Sequence, residues 1–146
     1  MQQDFIEFIE MLNRNGVEYV IVGGIALAYH GFPRFTGDID IWIKPYIDNA
    51  NRTFRSIEEF FGTRINTTPE DFLRGNKMIS LGEDPVKIEI HIRLDGVTQD
   101  EIWSTKVNGK FGNEDVFYIG RDTFIKNKKA VGRDQDLVDI KKLESK

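Results

Sequence analysis

Two aspartates, Asp38 and Asp40, stand two residues apart in the stretch DIDIWI at residues 38–43, where polar and apolar residues alternate. Alternation with period two is a strand signal, and alternate strand positions put their Cα atoms roughly 6–7 Å apart on one face. Carboxylates at that spacing can converge on a pair of divalent ions about 3.5–4 Å apart. Magnesium suits such oxygen ligands and keeps waters or substrate phosphates in its other positions. An isolated Asp-x-Asp is more simply two solvated acids on a sheet face. Upstream, an apolar run at 17–22 ends in Gly23-Gly24. A glycine pair between strand and helix lets backbone N–H groups approach an anion, aided by the helix N-terminus. By itself it is equally a tight turn that needs small residues.

Glu89 lies in a second alternating stretch, with Lys87, Glu89, His91 and Arg93 on one side and Ile88, Ile90 and Ile92 on the other. If the two strands are neighbours, Asp38, Asp40 and Glu89 share one cleft. Otherwise Glu89 is a surface acid paired with Lys87 or Arg93. His91 could touch a ligand on that face, yet a lone histidine there reads more simply as a hydrogen-bonded neighbour. His30, beside Gly31 at a helix end, reads the same way.

The elements that position these residues follow from period and punctuation. Residues 4–14 form an amphipathic helix with Phe5, Phe8, Ile9 and Leu12 on one stripe, ended by Asn15-Gly16. A strand at 17–22 leads into a short helix at 24–29, which Gly31 and Pro33 stop before the strand at 38–43. On that strand Asp38, Asp40 and Trp42 share the face that opens to a cleft, and Ile39, Ile41 and Ile43 lie on helices. A helix spans 46–61, with Ala50, Phe54, Ile57 and Phe61 as its apolar stripe. Thr68-Pro69-Glu70-Asp71 starts another, closed by Gly75. Strands at 77–81 and 86–94 flank the turn 82–85. Thr98 and Glu101 form a capping box for a helix through Trp103. A weaker strand pair at 106–119 is interrupted by Gly109 and Gly112, and helices at 122–130 and 134–143 flank Gly132. Trp103 and Phe111 are expected in the core. The fold class is therefore α/β (α+β), a mixed β-sheet with helices packed on one face.

At 146 residues the chain fits one domain with a real core. Its net charge of −4 argues against a general nucleic-acid binder, which carries a basic footprint. The absence of cysteine excludes disulfides, a thiol nucleophile and Cys-based zinc sites. No apolar run reaches the roughly 20 residues of a membrane helix. The acidic N-terminal stretch lacks the basic start of a secretory signal, so a cytoplasmic location is expected.

In combination, Val22-Gly23-Gly24, a helix-sized spacing, Asp38-Ile39-Asp40 and a later Glu89 resemble the nucleotidyltransferase superfamily typified by DNA polymerase beta. Arg34-x-Thr36-x-Asp38-x-Asp40 is also similar to the small bacterial branch that includes AbiEii-type toxins and minimal nucleotidyltransferases. So is the run from Asn127 through Lys128 to Arg133, followed by Asp136 and Asp139. The third acid of that branch is usually aspartate; here it is Glu89, one methylene longer.

The resemblance implies a nucleotidyltransferase that moves a nucleoside monophosphate from a triphosphate such as ATP to an acceptor hydroxyl, in a toxin–antitoxin or defence setting. It implies that Asp38, Asp40 and Glu89 hold two magnesium ions and that Glu89 helps deprotonate the acceptor. Gly23 and Gly24 would hold the β- and γ-phosphates, with Arg34, Thr36 and Lys128 as further phosphate-contacting or supporting residues. The residues themselves give Arg133 a plainer reading, in which it pairs with Asp136 or caps the preceding helix. The acceptor (RNA, protein or small molecule) is left open. Larger relatives carry a further domain for acceptor choice, so a partner protein or second copy of the chain is expected to supply it. Two rivals are a catalytically silent nucleotide- or partner-binding module and a metal-dependent phosphodiesterase; the Gly-Gly turn argues against the latter.

Overall fold

The alternating stretch at 38–43 is a central strand of a six-stranded sheet. The computed structural model describes residues 2–33, 36–73 and 76–145. In chain order the elements are α1 (Gln2–Arg14), β1 (Tyr19–Val22), α2 (Gly23–Tyr29), β2 (Asp38–Ile43) and α3 (Ile47–Phe61). After a 3-10 turn at Pro69–Phe72 come β3 (Met78–Glu83), β4 (Val86–His91), α4 (Gln99–Thr105), β5 (Val107–Phe111), β6 (Glu114–Tyr118), α5 (Arg121–Val131) and α6 (Asp134–Glu144).

The strands lie in the order β3-β4-β2-β1-β6-β5. β2 runs antiparallel to β1 and parallel to β4, so the sheet is mixed. Because β2 reverses the direction of β1, the end of one strand lies beside the start of the other. Val22 is opposite Asp40, and Asp40 is opposite Glu89. Pairing therefore carries the glycine turn and two acids into one row across the sheet.

Ile39, Ile41 and Ile43 are fully buried, as are Ile88 and Ile90 on the neighbouring strand. The stripe of α3 differs from the apolar one expected. Asn49, Ala50, Thr53, Ser56 and Ile57 are its buried residues, while Phe54 and Phe61 are packed only partly buried against the core. Asn49 explains the difference. Its Oδ1 accepts the Glu18 N–H at 2.7 Å, and its amide donates to the carbonyls of Glu18 and Lys44 at 2.9 and 2.8 Å. One buried amide thus ties α3 to the entry of β1 and the exit of β2, satisfying backbone groups that burial would otherwise strand.

Trp42 departs from the open-face expectation. It is fully buried, its ring tilted against Trp103 of α4, and its indole N–H donates to the Ile92 carbonyl at 3.2 Å. The polar face of β2 is thus open at Asp38 and Asp40 and closed at Trp42. Trp103 is half-buried and Phe111 buried. The Thr98–Glu101 capping box forms. Gly109 does not interrupt β5; a Cβ there would lie 2.8 Å from the rings of Tyr29 and Tyr118, so its place is fixed by two aromatics stacked over the backbone. No described helix is long and apolar enough to cross a membrane.

Candidate active site

Gly23 occupies the junction of β1 and α2 with φ of +67°, a conformation that disfavours side chains. A Cβ at this position would lie 2.5 Å from Asp40 Oδ2. The turn therefore presses its bare backbone against the aspartate carboxylate. Gly24 packs on Thr36, where an added Cβ would be 3.1 Å from the threonine Cβ and 3.2 Å from Oγ1. That hydroxyl donates to the Asp38 carbonyl at 3.0 Å and lies 3.4 Å from the Asp38 N–H. Thr36 accordingly braces the start of β2 against the second glycine.

On the other side of Asp40, β4 contributes Glu89 and His91. His91 Nε2 lies 2.9 Å from Asp40 Oδ1. Asp40, Glu89 and His91 each offer a donor atom within 4.8 Å of the other two. Asp38 lines the same cleft and acts on Glu89 through its charge, but stands outside that triad among the described residues. The Glu89 carboxyl is pushed up to about 7, first by burial, then by its hydrogen bond with Asp40 and the charges of Asp40 and Asp38. Lys87, 3.6 Å away, only partly offsets this. Half-buried carboxylates crowded with one imidazole form a donor set that fits a divalent cation, since added positive charge relieves their repulsion. These residues line a cleft of about 760 Å³, a size suited to a nucleotide-sized ligand.

No protein-family model matches the chain, and no curated protein matches it. Solved structures do. The lincomycin-bound lincosamide antibiotic adenylyltransferase LnuA superposes with a TM-score of 0.67 at 15% identity, over 99% of this chain and 97% of that one. A candidate nucleotidyltransferase from Thermotoga maritima gives 0.56 at 18% identity, over 97% of this chain and 86% of its own. A nucleotidyltransferase-like antigenic protein from Paracoccidioides brasiliensis gives 0.58 at 14%, over 97% and 73%. The chain has the nucleotidyltransferase fold.

Within that fold, α5 and α6 bring the C-terminal run to the cleft. Lys128 is buried, with its ammonium 2.9 Å from Asp139 and 3.4 Å from Asp136. It also lines the cleft, so the sequence-derived phosphate candidate is already held by two carboxylates. Arg133 pairs with Asp136 through Nε at 2.7 Å, and its backbone N–H donates to the same carboxylate at 3.1 Å, which caps α6, the helix that follows; Gly132 ends the preceding one. This pairing holds Asp136 below the usual carboxylate range, against its burial. Arg34 lies outside the described residues.

The nucleotidyltransferase fold thus brings together Gly23, Gly24, Thr36, Asp38, Asp40 and Glu89. Sequence reasoning set His91 aside, although its two-residue spacing from Glu89 placed it on the same face. Register supplies the missing signal: His91 is opposite Trp42, one diagonal step from Asp40, and a long side chain reaches that far.

Proposed function

We propose that the protein is a magnesium-dependent nucleotidyltransferase that moves a nucleoside monophosphate from a triphosphate to an acceptor hydroxyl. The observation that carries this reading is the contact of Gly23 with Asp40, which makes an anion-accepting turn and a cation-accepting carboxylate one constructed unit. Asp38, Asp40 and Glu89 would hold two magnesium ions, which when bound offset the triphosphate charge and stabilise the oxygens entering and leaving phosphorus. Gly23 and Gly24 present backbone N–H groups to the β- and γ-phosphates, which no side chain keeps at a distance. Glu89 would complete the shell of one ion and help draw the proton from the acceptor hydroxyl that the ion polarises. The freed oxygen attacks the α-phosphorus in line and pyrophosphate leaves. Lys128 has three ammonium protons; two meet Asp136 and Asp139, which leaves one for a phosphate oxygen.

A small hydroxylated molecule is the acceptor class we favour. LnuA, whose name gives it a small antibiotic as substrate, matches this chain over nearly all of both lengths, so this fold at this size accommodates such an acceptor in that protein. Net charge of −4 adds repulsion against RNA. A toxin–antitoxin or defence setting rests on the resemblance of Arg34-x-Thr36-x-Asp38-x-Asp40 and of the 127–139 run, a cytoplasmic location on the N-terminal stretch and the lack of cysteine, and a partner or second copy remains the proposed route to any larger acceptor.

The test is label transfer. Purified protein, magnesium and α-labelled nucleoside triphosphates are incubated with a panel of hydroxylated small molecules, RNA and protein. Wild type should label an acceptor and release pyrophosphate, whereas Asp38→Asn and Asp40→Asn should not. Equal labelling by wild type and both variants sinks the enzyme reading. Magnesium-dependent nucleotide binding without transfer to any acceptor would favour the silent module.

A further inference from the structure

We propose that His91 supplies a nitrogen ligand to the cation at Asp40 and Glu89, so that this centre takes late first-row divalent ions, zinc(II) or cobalt(II), more tightly than magnesium. The inference rests on the reading of Asp40 and Glu89 as cation ligands and concerns which ion they hold.

The distances support a shared ion. Ligand atoms on adjacent octahedral positions at bond lengths of about 2.1 Å lie about 3.0 Å apart, and opposite ones about 4.2 Å. His91 Nε2 and Asp40 Oδ1 are 2.9 Å apart, and all three donors fall within 4.8 Å of one another. Small side-chain rotations would place a cation at the focus of all three. In the tautomer protonated on Nδ1, the imidazole directs its Nε2 lone pair at that focus. Without a cation, the tautomer protonated on Nε2 donates to Asp40; a cation selects the other tautomer, for which solvent takes the Nε2 proton and supplies one to Nδ1.

Donor chemistry then decides the preference. An all-oxygen site suits magnesium, which gains little from imidazole, whereas zinc and cobalt bind imidazole strongly. His91 and Asp40 are both half-buried, which limits competition from bulk water. Glu89 supplies the second carboxylate from the strand that carries His91. Two carboxylates and one imidazole leave positions open for substrate oxygens, as a reacting centre requires.

Nitrogen-15 NMR of the full chain labelled at histidine tests this without measuring activity. The chain has two histidines. His30 Nε2 lies 2.8 Å from the Ile119 carbonyl, and His30 is not among the residues lining the cleft, so it serves as the internal reference. Zinc chloride alone, without nucleotide, should move the His91 Nε2 resonance and leave that of His30 in place. By competition titration, zinc should bind at least about tenfold more tightly than magnesium, and His91→Gln should remove about tenfold of zinc affinity while changing magnesium affinity less than about threefold.

A His91 resonance unmoved at saturating zinc overturns the proposal, even if His91→Gln does not fold, because that measurement needs only the wild-type chain. So does a folded His91→Gln, verified by circular dichroism, that binds both ions as wild type does. Magnesium binding without any zinc effect at His91 defeats this inference and leaves the functional reading standing. Failure of both ions to bind defeats both.

Discussion

Gly23 and Asp40 are in contact: the glycine, at φ of +67°, presents its backbone where a Cβ would fall 2.5 Å from the aspartate Oδ2. Gly23→Ala therefore meets two costs. The left-handed conformation costs a residue with a side chain about 1–2 kcal/mol, and the new methyl displaces the carboxylate. We expect a loss of at least about 1 kcal/mol in chemical denaturation and about 100-fold in transfer rate, the scale of a roughly 1 Å misplacement. Gly24→Ala should be milder in both respects, because Thr36 need yield only a few tenths of an ångström. Equal losses at both glycines would show that the Asp40 contact does not govern the site.

Thr36 holds the Asp38 backbone through one hydroxyl while its carbon atoms pack on Gly24. Thr36→Ser keeps the hydroxyl and should retain nearly full activity. Thr36→Val keeps the shape, loses the hydrogen bonds and should cost about 0.5–1.5 kcal/mol of stability. Denaturant titration of both variants beside their magnesium affinities separates bracing of Asp38 from direct phosphate contact. Bracing predicts weakened cation binding in Thr36→Val without nucleotide present; direct contact predicts none.

Strict alternation made β2 and β4 legible, because a sheet with one apolar face imposes period two on both strands. The proximity of Glu89 to Asp40 could only be posed as a condition, since strand order is a tertiary choice that neither stretch encodes by itself. Trp42 followed the alternation and was nevertheless buried, because α4 covers that end of the polar face. Asn49 escaped notice for a related reason: a polar residue in a helix reads as solvent-facing until two strand ends are found to need its amide. The Lys128–Asp136–Asp139 cluster was visible as a run of charged residues, but its burial depends on how α5 and α6 close on each other.

Glu89 gives the protein without bound cation a pH-dependent liability. Its carboxyl is raised from an ordinary value of 4.5 to about 7 in the folded protein. Between those values the unfolded chain releases a proton that the folded chain keeps, so this group's contribution to stability falls as pH rises through that window. Glu89→Gln removes the titration. Melting temperatures measured from pH 5 to pH 8 should therefore decline more in wild type than in Glu89→Gln, with the variant relatively more stable at pH 8. Added divalent cation should raise the wild-type melting temperature more at pH 8 than at pH 5, where the proton competes for the carboxylate. Parallel pH profiles for the two proteins would refute the coupling.

Lys128 separates stability from catalysis. The residue is 6% exposed, and its ammonium donates to Asp139 and Asp136, both also buried. Removing one partner of a buried ion pair leaves the other charge without compensation, at a cost of about 3–5 kcal/mol. Arg133 offsets part of this at Asp136, which it holds through Nε and the backbone N–H, and Gln135 donates to Asp139 Oδ1 at 2.8 Å. Both carboxylates keep a partner, so Lys128→Met should lose stability toward the lower part of that range in urea titration. Lys128→Met combined with Asp139→Leu, which removes charge from both sides, should recover part of it. If the double variant regains stability and still fails to bind a triphosphate analogue, the third ammonium proton is the one that meets phosphate. If it regains both stability and binding, Lys128 serves to hold α5 against α6 at the edge of the cleft.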